Sequence, residues 1–179
     1  ADMRRRDPTL TRQITFFVDK SERKLTVKLG DTVVRDYGVS LGYAPVGHKQ
    51  RSGDRKTPEG TYYVGWRRTG ERGQTAYHRS LLISYPRIED GERAFKAGAI
   101  TKTQLKKIKK AQRNCSVPPQ RTRLGGYVLI HGGGGGPGQD DWTWGCIALN
   151  NSDVRELYSV AKTGCRRGQT PKTKLVIEP

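Results

Sequence analysis

The sequence predicts a mainly β domain with helices packed on its edge or face. Short segments rich in β-branched and aromatic residues recur along the chain, and only two segments carry clear helix start and stop signals. The length of 179 residues suits one domain with a sizeable core. We expect residues 1–12 to be a basic lead-in and residues 13–179 to form the folded domain.

The N-terminal part predicts three consecutive strands, in the segments QITFFVD, KLTVKLGD and TVVRDYGVSLG. In the second segment Leu25, Val27 and Leu29 alternate with polar residues, which indicates a strand with one buried face. Residues 43–60 are rich in Gly, Pro and charge and indicate a long loop. Further strands are predicted at TYYVGWRR, SLLISYP, VLIHG and KLVIEP, the last of which closes the sheet.

Residues 101–114 predict the first helix, with Thr101 and Gln104 placed to form a capping box. Its apolar stripe is thin and is surrounded by lysines, which favours a solvated surface helix over a dedicated polyanion-binding one. The second helix is predicted to begin near Asn151 or Ser152 and to stop at Gly164.

The buried stripe of the second helix is predicted from three apolar residues at helical spacing, Val154, Leu157 and Ala161. Asp153 and Glu156 near its start suit the positive end of the helix dipole.

The charge is strongly unbalanced, with 34 Lys and Arg against 17 Asp and Glu, or +17 net. Such a field attracts polyanions, which include nucleic acid, acidic lipid and an anionic cell envelope. The basic residues are scattered and no nucleic-acid-binding motif appears, so we expect no specific nucleic-acid partner. No apolar run reaches the length of a membrane span, so we expect no transmembrane segment.

Three cysteines, Cys115, Cys146 and Cys165, give an odd count. In an exported protein this indicates one bridge and one free thiol, and if Cys146 is free the candidate pair is Cys115–Cys165. Three reduced thiols are the alternative. Because the chain begins at Ala1 rather than Met, we expect a leading segment such as a signal peptide to have been removed before it.

Cys146 is a candidate nucleophile, because a thiolate is strongly nucleophilic when its pKa is lowered. A nearby histidine, and to a small degree the following helix N-terminus, would lower it. Gly145 allows close backbone approach, and the N–H groups around Trp144, Gly145 and Cys146 are candidate oxyanion donors. Taken alone, Cys146 favours the interpretation as a buried structural thiol.

His131 ends an apolar strand, where its ring would be held rigidly beside a cleft. The carbonyl of Gly132 would hold one ring nitrogen and leave the other for Cys146, which generalises the logic of a catalytic triad. His48 and His78 lack this framing, and we interpret them as surface or substrate-loop residues.

The glycine run after His131 lacks the Lys and hydroxyl residue of a phosphate-binding loop, and we interpret it as a mobile flap. No paired ligands at zinc-site spacing appear, so we expect no metal, and we expect no other cofactor. No pair of carboxylates is clearly framed for glycoside hydrolysis.

Together these residues resemble the YkuD-type L,D-transpeptidases, cysteine acyl-transferases of bacterial peptidoglycan. The family motif is H-G, a variable loop, then S/T-x-G-C and an apolar residue, which here is His131–Gly132 and Thr143–Ile147. The segment GDRKTPEGTYYV (residues 53–64) is similar to a second family motif, and the resemblance covers residues 13–177. It implies a YkuD-like β-sandwich or mixed sheet with one or two packed helices.

The resemblance implies that Cys146 attacks the L-centre carbonyl of diaminopimelate in a tetrapeptide stem, so that the terminal D-Ala leaves. An amine of a second stem would resolve the thioester as a 3→3 cross-link, whereas water would give carboxypeptidase action. His131 would be the base, Gly132 its orienter, and Gly145 and Trp144 would supply oxyanion donors. Substrate-binding roles are expected for five further residues, namely Trp142, Thr143, Arg55, Lys56 and Tyr85.

Many family members carry an arginine two residues after the cysteine, where this chain has Ala148. A methyl group cannot hold a carboxylate, so either a basic residue of the 49–56 loop replaces the arginine or the reaction is hydrolytic. Two alternatives to transpeptidation therefore remain: a peptidoglycan hydrolase using the same site, and a basic cell-wall or nucleic-acid binding module. The resemblance implies a periplasmic or cell-wall location, and we expect a monomer.

Overall fold

The computed structural model describes residues 13–134, 140–166 and 170–179. The predicted lead-in at 1–12 lies outside the described residues, as does the part of the predicted glycine flap at 135–139. These described residues form eight strands and three α-helices. The strands are β1 (Ile14–Asp19), β2 (Lys24–Leu29), β3 (Thr32–Gly38), β4 (Gly60–Thr69), β5 (Arg79–Ile83), β6 (Leu129–His131), β7 (Ile147–Ala148) and β8 (Thr173–Glu178). The helices are α1 (Ile88–Lys96), α2 (Lys102–Arg113) and α3 (Asn151–Val160).

The strands form one sheet in the order β3-β2-β1-β8-β4-β5-β6-β7, which confirms the mainly β fold. β8 does not close the sheet at an edge. It lies between β1, to which it is parallel, and β4, to which it is antiparallel. The β6–β7 pair is the other parallel one, with Ile130 opposite Ile147 and His131 opposite Ala148.

The long strand β4 joins the two halves of the sheet. Its first residues pair with β8 and its last with β5, and the register is irregular between Val64 and Arg67. An irregularity of this kind bends a strand and increases its twist, so the sheet curls around a core. Alternating residues of β1, which are Ile14, Phe16 and Val18, are buried in that core.

Helix α2 begins as its sequence predicts. Thr101 Oγ1 accepts the Gln104 N–H at 3.1 Å, and Gln104 Oε1 accepts the Thr101 N–H at 2.9 Å. Helix α3 buries Val154, Leu157 and Ala161, as the spacing predicts.

The N-cap of α3 is Asn150, one residue before the predicted candidates. The side-chain oxygen of Asn151 does not cap the helix, because it accepts the Gly133 N–H at 2.9 Å. The helix ends at Val160, earlier than the predicted stop at Gly164.

The sequence predicts one or two helices, whereas the described part of the chain has three, and α1 is the one that was not predicted. A glycine in its middle, Gly91, lowers its intrinsic helix propensity. A glycine suits this position because a Cβ there would lie close to α2, at 3.0 Å from Leu105 Cδ1 and 3.2 Å from Ile108 Cδ1. Close packing between α1 and α2 therefore stabilises a helix that local sequence does not favour.

Cys115 and Cys165 form a disulfide, with a Cα–Cα distance of 5.6 Å, and Cys146 is the free cysteine. No helix in the described ranges is long and apolar enough to cross a bilayer.

We predict that the double variant Cys115→Ala/Cys165→Ala loses about 2–4 kcal/mol of unfolding free energy, because the bridge closes a long loop in the unfolded chain. The two cysteines are 50 residues apart. Urea denaturation measures the loss, and the single variant Cys146→Ala is the control. Equal stability of the double variant and the unaltered protein would contradict the prediction.

Candidate active site

Cys146 lies immediately before β7, next to the first residue of β6. Its Sγ accepts the Leu129 N–H at 3.3 Å and lies 3.7 Å from the Tyr127 carbonyl oxygen, to which the thiol donates. The side chain is half-buried. The thiol is therefore held by backbone groups at the start of β6 while part of it stays exposed.

His131 and Cys146 lie on the same face of the β6–β7 pair. His131 is opposite Ala148, and Cys146 precedes Ala148 by two residues. Because side chains two apart along a strand share a face, the thiol and the imidazole project to the same side. The parallel register thus brings together the two residues that the sequence predicts to act as a pair.

The ring of His131 is held in one orientation. Its Nδ1 lies 2.6 Å from the Gly132 carbonyl oxygen. A carbonyl only accepts, so Nδ1 carries the proton and a neutral ring keeps Nε2 as a free acceptor. Tyr77 stacks on the ring at 3.7 Å between centroids, and Trp142 meets it edge-on at 5.8 Å.

Tyr77 is a site residue that the sequence analysis misses. It precedes β5 in a polar loop, and no spacing signal connects it to the His–Cys motif. Burial, followed by the proximity of Cys146, raises the pKa of the Tyr77 phenol, which places this side chain near both candidate catalytic groups.

Burial raises the pKa of the Cys146 thiol, and the Leu129 N–H and the Lys49 ammonium oppose this shift only in part. Burial also lowers the pKa of His131, despite the opposing effect of the Gly132 carbonyl. Both shifts favour a neutral thiol beside a neutral imidazole. This is opposite to the lowered thiol pKa that the sequence predicts.

The turn before Cys146 is braced by Thr143, whose side chain is buried. Its Oγ1 donates to the Cys146 carbonyl at 2.7 Å and accepts the Gly145 N–H at 3.1 Å. The hydroxyl that we expected to bind substrate is therefore engaged with the backbone.

The same bonds correct the predicted oxyanion donors. The N–H of Gly145 points into the turn, toward Thr143. Among the residues that the structure describes, the N–H groups of Trp144 and Cys146 bond to no acceptor. These two, rather than Gly145, remain available to a negatively charged oxygen.

Gly145 is required for a different reason. Its φ is +128°, and a Cβ there would lie 2.6 Å from the Lys56 carbonyl oxygen. Gly42 is equally crowded, since its Cβ would lie 2.2 Å from the Arg55 carbonyl oxygen. The backbone of the 49–56 loop thus packs directly on the turn that carries Cys146.

Arg55 is exposed, and its guanidinium lies 4.7 Å from the Trp144 ring centroid and 5.6 Å from that of Tyr43. Trp144 is 66% exposed and Tyr43 56%. Lys56 contributes its carbonyl to the turn, while its ammonium lies beside Gly47. Of the two predicted basic residues, Arg55 is the one placed over an exposed ring next to the nucleophile.

Tyr85 was expected to bind substrate, and the structure corrects this. The residue is fully buried, and its hydroxyl donates to the Leu124 carbonyl at 3.1 Å. It belongs to the hydrophobic core.

The other two histidines have structural partners. His48 accepts the Glu59 N–H through Nδ1 at 2.9 Å and donates through Nε2 to Asp90 at 2.6 Å. His78 lies 3.3 Å from the Arg155 guanidinium of α3.

Ala148 is fully buried between His131 on one side and Ser40 on the other. Ser40 Oγ is buried without a hydrogen-bond partner in the described part of the chain. No group of three His, Cys, Asp or Glu side chains within those ranges is arranged to hold a metal ion.

We predict that Thr143→Val lowers the unfolding free energy by about 1–3 kcal/mol, because it leaves the Gly145 N–H and the Cys146 carbonyl without their partner. The valine matches the threonine in shape, and Thr143→Ser is the control that keeps the hydroxyl. Denaturation measures the loss of unfolding free energy, and the alkylation rate of Cys146 reports whether the turn that carries the thiol has changed. A valine variant with unaltered stability and alkylation rate would refute the bracing role.

We also predict that iodoacetamide alkylation of Cys146 is slow at mildly acidic pH and accelerates as pH rises past the ordinary thiol pKa of about 8.5. A raised pKa leaves little thiolate below that value. Mass spectrometry of the labelled peptide across a pH series measures the rate. Rapid labelling at pH 5–6 would show a thiolate–imidazolium pair instead.

Comparisons with known proteins match most of the chain. The family model for the L,D-transpeptidase catalytic domain, YkuD, matches residues 13–177. The provisionally named L,D-transpeptidase YafK of Escherichia coli K12 is 24% identical over 168 residues, which are 93% of this chain and 53% of that protein.

Two solved structures share the fold. The helical cell shape determining protein Pgp2 of Campylobacter jejuni has a TM-score of 0.58 at 21% identity, over 93% of this chain and 47% of that one. Bd1075 of Bdellovibrio bacteriovorus has a TM-score of 0.56 at 19% identity, over 96% and 50%. The chain spans about half the length of these relatives. On the match over residues 13–177, it belongs to the YkuD family of L,D-transpeptidase catalytic domains.

Proposed function

We propose that this domain is a cysteine-dependent L,D-transpeptidase that acts on peptidoglycan tetrapeptide stems outside the cytoplasm. The observation that carries the proposal is the shared face of Cys146 and His131, with the ring fixed by the Gly132 carbonyl. A free Nε2 on the histidine suits it to take the thiol proton. The family has this activity, and the net charge of +17 favours binding to an anionic envelope.

In the first half-reaction the Cys146 thiol gives its proton to His131 Nε2 as sulfur attacks the stem carbonyl. The N–H groups of Trp144 and Cys146 donate to the oxygen that becomes negative. The C–N bond to D-Ala then breaks, and His131 returns the proton to the departing amine. Because both groups are neutral beforehand, proton transfer accompanies attack rather than preceding it.

The second half-reaction depends on what enters the site. A stem amine gives a proton to His131 as it attacks the thioester carbonyl; the C–S bond breaks, the Cys146 sulfur takes the proton back from His131, and the new amide is the 3→3 cross-link. We propose that Arg55 holds a substrate carboxylate, since its exposed guanidinium lies over the ring of Trp144, two residues before Cys146.

A hydrolase is the second candidate, and Ala148 is the observation that favours it. The residue is buried beside His131, and no guanidinium occupies that position to hold the carboxylate of an acceptor. Water would then resolve the thioester.

Turnover of disaccharide-tetrapeptide muropeptides, with products read by mass spectrometry, tests the proposal. We predict cross-linked dimers with loss of one D-Ala from the unaltered protein, and none from Cys146→Ala. His131→Asn should reduce the rate by about 10²–10⁴-fold because it removes the base.

Circular dichroism of both variants controls for folding. Tripeptide products alone would select the hydrolase. Products that persist in Cys146→Ala would refute a cysteine mechanism. If neither the unaltered protein nor its variants turn over muropeptides but all bind them in a salt-sensitive way, the domain is a basic binding module.

A further inference from the structure

A groove of about 500 Å³ lies between the 49–56 loop, helix α1 and the segment that precedes β6. Three arginines, Arg51, Arg93 and Arg123, line it. Its apolar lining includes Ala94 and Leu124. None of the residues that bring Cys146 and His131 together lines the groove, so it is separate from the site described above.

The walls of the groove are fixed to one another. His48, at the base of the loop, donates to Asp90 of α1 at 2.6 Å, and Asp90 also accepts from Arg93 at 3.1 Å. On the other side the Ser52 N–H donates to the Arg123 carbonyl at 2.8 Å. The groove is therefore formed before any ligand arrives, which reduces the ordering cost of binding.

Arg93 is paired with Asp90, but the other two arginines of the groove have no carboxylate partner among the residues described. Arg51 and Arg123 are exposed, and within the described ranges neither guanidinium bonds to a carboxylate. Asp54 is the nearest acid in the loop, but its carboxylate accepts the Arg51 N–H at 3.0 Å and the Lys49 ammonium at 2.8 Å. Two guanidinium forks thus face the groove with their donors available.

The lining limits the class of ligand. Guanidinium forks match carboxylates and phosphates, and alanines such as Ala94 and Ala97 offer small apolar surfaces that a methyl group can contact. No aromatic ring lines the groove, so it lacks the platform on which nucleic-acid bases stack. A ligand with several carboxylates and small side chains fits these features.

We infer that the Arg51–Arg93–Arg123 groove binds a short acidic peptide with small side chains. Resting on the proposed function, this peptide is a stem of the peptidoglycan held beside the reacting one. Arg123 is six positions before Leu129, whose N–H contacts Cys146 Sγ, so the groove begins at most about 25 Å from the nucleophile. That distance is within reach of neighbouring stems on one polymer.

The inference is tested by fluorescence anisotropy with the labelled peptide Ala-Glu-Ala-Glu-Ala and the Cys146→Ala protein, which binds without turning over. The groove variant adds Arg51→Gln and Arg123→Gln. The matched control adds Lys106→Gln and Lys107→Gln on the exposed side of α2, which removes the same charge outside the groove.

We predict that the groove variant binds the peptide at least about tenfold more weakly, because each arginine contributes charge-assisted hydrogen bonds. The control should stay within about twofold. Equal weakening in the two variants would overturn the inference, since general charge would then explain binding. Binding of inorganic tripolyphosphate but not of the peptide would overturn it in favour of a phosphate site.

Failure of the proposed function gives a different pattern. If muropeptides are not turned over but the peptide still needs Arg51 and Arg123, the groove remains a peptide site and its assignment to stems is wrong. If muropeptides are turned over equally by the unaltered protein and by the two-arginine variant with Cys146 intact, and the peptide does not bind, the groove inference alone is refuted.

Discussion

The parallel pairing of β6 with β7 is the constraint on which the candidate site depends. Only two pairs of residues are opposite each other, Ile130 with Ile147 and His131 with Ala148. A slip of one residue would turn Cys146 to the opposite face, among the buried side chains that Ile130 and Ile147 contact. Burial of Ile130 and Ile147 in the core therefore fixes the register that places His131 and Cys146 on the other face.

Loops next to the β6–β7 pair hold Cys146 in position, mainly through contacts with backbone atoms. The turn before Cys146 is held by one hydroxyl, that of Thr143, and is packed against the carbonyl of Lys56. Burial, complete for the imidazole and partial for the thiol, moves both pKa values toward the neutral forms. In the proposed mechanism the proton therefore moves from the Cys146 thiol to the His131 imidazole only when substrate is bound, and not in the free protein.

The sequence predicted the parts of the molecule whose signals are local. The strands, the α2 capping box and the buried stripe of α3 follow from periodicity and side-chain chemistry over a few residues. It could not reveal α1, because the suitability of Gly91 arises from packing against a distant helix. Tyr77 was missed and Tyr85 misassigned for the same reason, since stacking on His131 and burial in the core are both tertiary contacts.

The disulfide has a topological consequence for the catalytic half of the chain. Cys115 and Cys165 enclose the whole segment between them, which contains both His131 and Cys146. A single backbone break anywhere between His131 and Cys146 would divide the chain into two fragments that the disulfide still joins covalently. The two fragments would stay joined as one molecule, one carrying the imidazole and the other the thiol, until the bridge was reduced.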